Sequence, residues 1–90
     1  MAVLVDNLSF AHAKQSLQTG LDAIREGRFA FDLANVVHAD SSGIAVMLAW
    51  QRAADSASGQ VRFLNTPENI LSLAALYGVT DLLGFVSEAG

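Results

Sequence analysis

The segment FAFDLANVVHADSSGIAVMLAWQRAA, residues 29–54, decides the fold class of this chain. RFAFDLANVV, residues 28–37, is the predicted second strand, because from Phe29 to Leu33 every second residue is large and apolar, the period of a β-strand with one buried face. An apolar run then predicts a helix from about Ser42 to Ala57. Asp40-Ser41-Ser42-Gly43 therefore lies where a strand gives way to a helix.

The same two periods alternate through the rest of the chain. Strand-like patterns are found at Val3–Val5, at residues 60–65 and around Phe85-Val86. Helical patterns cover residues 11–26 and 67–77. Thr66 is the expected cap of the helix over residues 67–77, and a short turn of helix is predicted from Thr80. Strands alternating with helices predict an α/β fold, with a mostly parallel or mixed sheet and packed helices in a single domain over residues 1–90.

Composition excludes several classes of function. Hydrophobic residues make up 52% and charged residues 16% of the 90, which predicts a small, apolar globular domain. The net charge is −4 and the five basic residues are scattered, so neither nucleic acid nor an anionic membrane surface is an expected partner. The absence of cysteine excludes disulfides and thiolate sites, and His12 and His38 lack a third ligand at a metal-binding spacing.

Localisation is also predicted from the sequence. The start of the chain lacks the basic and apolar regions of a signal peptide, and no apolar run approaches the roughly 18 residues of a membrane span. These features predict a cytoplasmic protein without direct membrane insertion.

Asp40-Ser41-Ser42-Gly43 has two interpretations. In the first, Asp40 or Ser41 caps the following helix and Gly43 allows the neighbouring chain to approach closely. In the second, an exposed serine at the positive end of the helix is also a docking or modification site. A hydrolytic triad is not favoured because its candidate members lie within four residues, and a phosphate loop is not favoured because a glycine run and a following lysine are missing.

The helix that follows is apolar nearly all round. Its flanks could pack against helices on either side, as expected for a central helix. Alternatively, some of its large residues supply a protein-binding surface beside the serine: Ile44, Met47, Leu48 and Trp50. Sequence alone leaves both alternatives open.

Residues 29–54 resemble the core of the STAS domain, a family found in sulfate transporters and anti-sigma factor antagonists. The family pattern is a strand ending in Asp-Leu, here Asp32-Leu33, followed by Asp-Ser-x-Gly opening an apolar helix, here residues 40–43. The resemblance extends through GQVRFLNTPENILSLAALYGVTDLLGF, residues 59–85. It implies a small STAS-like α/β domain that is a protein-interaction module, without catalytic residues, cofactor or metal.

Two branches of the family resemble this chain. The LAALYGVTDLLGF segment, residues 73–85, looks like the MlaB branch, whose members bind the ATPase subunit of an ABC transporter for phospholipids that maintain outer-membrane asymmetry. The resemblance then implies a cytoplasmic location peripheral to an inner-membrane complex. The alternative branch, the anti-sigma factor antagonists, implies an anti-sigma factor serine kinase as partner and phosphorylation at Ser41. The implied partner-binding residues are His38, Asp40, Ser41, Ser42, Gly43, Ile44 and Met47.

The N-terminal segment departs from the family pattern. Family members often have two strands before the first helix, whereas ten residues precede it here. This departure predicts that an edge strand is missing, which would leave unpaired backbone groups open to another subunit. A homodimer through that edge is a hypothesis.

Overall fold

The computed structural model describes residues 2–86, and the order of its elements confirms the predicted alternation of strands and helices. The strands are β1 (Val3–Leu4), β2 (Asn7–Leu8), β3 (Ala30–Asp32), β4 (His38–Ala39) and β5 (Arg62–Leu64). The helices are α1 (Ala13–Arg25), α2 (Ser41–Ser56) and α3 (Glu68–Leu76), with a short 3-10 helix at Phe10–His12 before α1. None of the helices within the described range has the length and hydropathy of a membrane span.

The strands form two parallel sheets. The larger has the order β1-β3-β5, with Phe31 of β3 opposite Val3 on one side and Phe63 on the other. Phe85 forms a parallel bridge to Phe63, so the predicted last extended segment is reduced to one bridge. The smaller sheet pairs β2 with β4 and places Asn7 opposite His38. This pairing brings the end of β2 close to the start of α2, because β4 leads directly into that helix and Leu8 of β2 contacts Gly43.

Three aromatic residues form the centre of the core. Trp50 of α2 stacks on Phe31 with ring centroids 4.6 Å apart, and Phe63 lies within 6.4 Å of Trp50. All three side chains are completely buried. The indole Nε1 donates a hydrogen bond to the carbonyl oxygen of Leu17 at 3.1 Å, which links α1 to α2. A side chain at Gly20 would overlap the indole, so this glycine, unfavourable for helix propensity, is needed for the packing of α1 on α2.

The position of α2 between α1 and α3 explains why it is apolar nearly all round. Ile44, Met47 and Trp50 are buried and Leu48 is half-buried against the core. The packing alternative is therefore correct for Ile44, Met47 and Trp50, and the alternative that these three residues form an exposed docking surface is wrong. The large apolar residues of α2 hold the start of the helix in place instead.

The start of α3 differs from the prediction. Its N-cap residue is Pro67, with extended backbone and no side-chain cap hydrogen bond. The Thr66 hydroxyl, predicted to be the cap, is buried without a hydrogen-bond partner. Only Glu68 in the first turn supplies the predicted favourable charge at the positive end of the helix.

Candidate functional site

The small β2–β4 sheet positions the Asp-Ser-Ser-Gly segment. Asp40 follows β4 directly, and its backbone N–H donates to the carbonyl oxygen of Leu8 in β2 at 3.2 Å. This bond continues the pairing of β4 with β2 up to the first residue of α2, which is Ser41. The backbone of the N-terminal segment therefore fixes where α2 begins.

The Asp40 carboxylate caps α2 and also binds the segment before α1. Oδ1 accepts a hydrogen bond from the Ser42 N–H at 2.9 Å, and Oδ2 accepts one from the Phe10 N–H at 2.9 Å. The bond from Phe10 is the main reason why the pKa of Asp40 is below its ordinary value. Asp40 is thus an ionised cap that joins two segments 30 residues apart in the chain.

Ser41 is exposed at the first position of α2. Among the hydrogen bonds within residues 2–86, none involves its hydroxyl group. Ala45, one helical turn further on and therefore on the same face, is also exposed. The hydroxyl is thus presented to solvent beside a small apolar surface, where another molecule can reach it.

The structure divides the predicted partner-binding residues into two groups. His38 and Ser41 are exposed, whereas Asp40 and Ser42 are half-buried. The remaining three are buried, so the prediction that they contact a partner directly is wrong: Gly43, Ile44 and Met47. They pack in the core under the start of α2 and hold it in position, because no partner can touch a fully covered side chain without rearranging the core.

Two exposed apolar residues near the two ends of the Asp40 connection were not predicted. Phe10 is 78% exposed and its N–H is bound by Asp40, while Val37, which precedes His38, is 74% exposed. We use the name Ser41 tip for four exposed residues: Phe10, Val37, His38 and Ser41. A sequence signal for Phe10 existed: it is a large apolar residue outside both the first strand pattern and the apolar stripe of α1.

The geometry does not favour acid–base chemistry at the tip. Both carboxylate oxygens of Asp40 are engaged by backbone N–H groups, so neither is free to orient His38 as a catalytic base. Within residues 2–86 no group of three histidine or carboxylate side chains lies close enough to hold a metal ion. The chemistry that these residues offer is hydrogen bonding and apolar contact with a partner.

The Asp40 cap predicts a pH-dependent stability. Because the folded-state pKa lies below the ordinary value of 3.8, the ionised cap stabilises the fold above that pH, and the contribution is lost as the pH falls through the lower folded-state pKa. We expect wild type to be more stable than Asp40→Asn at neutral pH, with the difference closing below about pH 4. Urea denaturation between neutral and acidic pH measures it; a pH-independent difference would contradict this assignment.

Comparisons with known proteins agree with this geometry. A family model described as Mlab, STAS domain, matches residues 3–84. Among solved structures, the anti-sigma factor antagonist SpoIIAA in its unphosphorylated form superposes with a TM-score of 0.70 at 17% identity, covering 94% of this chain and 77% of that one. No curated protein sequence matches. At this identity SpoIIAA shows the fold alone, whereas the family model covers nearly the whole chain, and we conclude that this chain belongs to the STAS domain family described as Mlab.

Proposed function

We propose that this chain is an MlaB-type subunit that binds the ATPase of a phospholipid-transporting ABC transporter through the Ser41 tip. STAS domains are protein-interaction modules and are generally not enzymes. The observation that carries the proposal is the exposed Ser41 hydroxyl, held on a rigid support at the start of α2 in a chain of this family. The transporter ATPase as partner, and a location at the inner face of the membrane complex, are parts of the proposal.

The rigidity of the tip supports a docking role. Asp40 binds the N-terminal segment and α2 together, and the buried residues of α2 anchor that helix in the core. A preorganised surface loses little conformational entropy when a partner binds. Phe10 and Val37 add exposed apolar area to the polar Ser41 and His38, and protein interfaces combine both kinds of surface.

The local charges support contact with an unmodified serine. The N–H of Ser42 already donates to the Asp40 side chain, and the N–H of Gly43 donates to the Asp40 carbonyl at 2.9 Å. A phosphate on Ser41 would therefore find these two first-turn donors occupied and the ionised Asp40 beside it. We infer that negative charge at Ser41 weakens the interface through repulsion and desolvation.

Ser41→Glu tests the proposal. We expect it to weaken ATPase binding by at least about tenfold, because a charge enters a close-fitting contact, while Ser41→Ala has a much smaller effect. The matched control is Ser56→Glu, which places the same charge at an exposed serine about 22 Å away at the other end of α2. Titration calorimetry with the purified ATPase subunit measures affinity, and circular dichroism verifies the fold of each variant.

Equal affinity for wild type and Ser41→Glu would refute a contact at Ser41. Equal losses for Ser41→Glu and Ser56→Glu would also count against the Ser41 tip, because they would indicate a general effect of charge. Absence of any binding to the ATPase would refute the transporter assignment itself.

The alternative function is that of an anti-sigma factor antagonist controlled by a serine kinase. The free and exposed Ser41 hydroxyl favours it as a chemically accessible acceptor, and the fold is shared with SpoIIAA. Incubation with candidate anti-sigma kinases and ATP separates the two functions. Stoichiometric phosphate on wild type and none on Ser41→Ala, together with no ATPase binding, would establish the alternative.

A further inference from the structure

The open edge of the larger sheet is a second feature of the molecule, and it shares no residue with the Ser41 tip. β1 is an edge strand, with β3 on one side and no strand on the other within residues 2–86. The N–H of Val5 donates to the carbonyl of Asp32 at 3.1 Å. Because backbone groups of alternate residues point to opposite sides of a strand, the N–H and C=O of Leu4 point away from β3.

This edge lacks the usual protection against pairing. The side chain of Leu4 is 70% exposed, and no proline or charged residue occurs from Ala2 to Val5. A cleft of about 370 Å³ lies between β1 and α1, and Val3, Val5, Asp6 and Trp50 are part of its lining. The helical side is lined by His12, which directly precedes α1, and by four residues of α1: Gln15, Ser16, Thr19 and Gly20. An extended strand added at this edge would meet apolar residues from Ala2 to Val5, with the Asp6 carboxylate beyond them.

We propose that β1 pairs antiparallel with β1 of a second copy, joining two three-stranded sheets across a two-fold axis. A register centred on Leu4 places Leu4 opposite its symmetry mate, where the two residues exchange both backbone hydrogen bonds. Val3 then lies opposite Val5, and Ala2 lies opposite Asp6. The two Asp6 carboxylates are thereby kept about 14 Å apart along the strands, so the acidic residues do not oppose the pairing.

The sequence of β1 favours self-pairing. Val86, the last described residue, donates its N–H to the carbonyl of Phe63 in β5, at the edge of the sheet opposite β1. The segment from Ala2 to Asp6 is self-complementary in the antiparallel register, because Val3 meets Val5, Leu4 meets Leu4, and Asp6 meets Ala2 instead of another acid.

Sedimentation velocity over a dilution series tests the pairing. We expect wild type to reach twice the 9.5 kDa monomer mass at high concentration, and Leu4→Lys to raise the dissociation constant by at least about tenfold because two like charges meet at the axis. Leu4 is exposed, so the substitution should leave the monomer folded. Leu76→Lys, at a leucine 75% exposed on α3, is the matched control and should not alter association.

Charge complementation makes the test independent of stability. Mixing Leu4→Lys with Leu4→Glu should restore dimers, because opposite charges then face each other across the axis. Since the chain has no cysteine, Leu4→Cys should also form a disulfide-linked dimer: directly opposite, hydrogen-bonded residues have Cα atoms about 5.5 Å apart, within disulfide reach. Leu76→Cys is the control for random oxidation.

Three results would overturn the proposal. Wild type could remain monomeric at every attainable concentration. Wild type could dimerise with the same affinity as Leu4→Lys, which would place the interface elsewhere. Leu4→Cys could cross-link no better than Leu76→Cys, which would show that the edges do not meet or that β1 instead receives a strand from a different protein.

Discussion

Replacing Trp50 by alanine is expected to lower the free energy of unfolding by about 3–5 kcal/mol. The indole is completely buried, stacks on Phe31 at a centroid separation of 4.6 Å and is bonded to the Leu17 carbonyl. Its removal leaves a cavity where the sheet, α1 and α2 meet, and Gly20 beside it supplies no side chain to fill the space. A domain of this length has a total stability of about 5–13 kcal/mol, so the loss is a large share of it.

Urea denaturation followed by far-ultraviolet circular dichroism measures this loss, because Trp50 is the only tryptophan and its fluorescence disappears with the substitution. Trp50→Phe should lose less, since it keeps the aromatic contact with Phe31 and sacrifices only the hydrogen bond and part of the volume. Leu82→Ala, at an exposed leucine, is the control and should change stability by less than about 0.5 kcal/mol. Similar losses for Trp50→Ala and Leu82→Ala would contradict the central position of the indole.

The alternation of strands and helices was predictable because it depends on local periodicity. Residues 29–33 alternate with a period of two, and β3 lies inside the predicted strand but is much shorter, covering Ala30–Asp32 of residues 28–37. The observed α2, Ser41–Ser56, differs from the predicted helix by one residue at each end. The burial of Phe31 and Phe63 follows from the same periods. The resemblance to the STAS pattern added the family, and the match of the family model confirms it.

Pairing between distant segments could not be predicted from local patterns. The N-terminal segment is divided into β1 and β2, which pair with different strands, and the short β4 at His38–Ala39 has no strand-like period of its own. Strands of two residues form because their neighbours hold them, not because of their intrinsic propensity. The sequence therefore predicted the order of strands and helices better than the pairing of the strands.

The same limit applies to the site. Asp40 or Ser41 was predicted as the cap, and Asp40 is the cap; this much was predictable because capping depends on residues next to each other in the chain. Its second bond, to Phe10, joins residues 30 positions apart and has no local signal. Burial of Ile44 and Met47 was not predictable either, since a helix that is apolar on all faces does not reveal which face meets solvent.

Replacing Gly43 by alanine is expected to lower the free energy of unfolding by about 3 kcal/mol, the upper part of the range for overpacked sites. In an ordinary helix interior the same change would stabilise by up to about 1 kcal/mol, so the expected sign is opposite to that of helix propensity. The reason is steric: a Cβ on Gly43 would overlap the carbonyl oxygen and Cβ of Leu8. That carbonyl accepts the Asp40 N–H, so it cannot turn away without breaking the pairing that positions Asp40.

The damage from Gly43→Ala should extend to the site. Separation of α2 from β2 would move Asp40 away from Phe10, and we expect large chemical-shift changes at the amides of Phe10 and Ser42, the two donors to that carboxylate. Gly78→Ala is the control: its backbone is left-handed, with φ +68°, and no atom lies within 4 Å of an added Cβ. It should cost about 1–2 kcal/mol through backbone strain and leave both amides unchanged. A Gly43→Ala protein as stable as wild type would show that α2 does not need this close approach to β2, and that the Ser41 tip is positioned by other contacts.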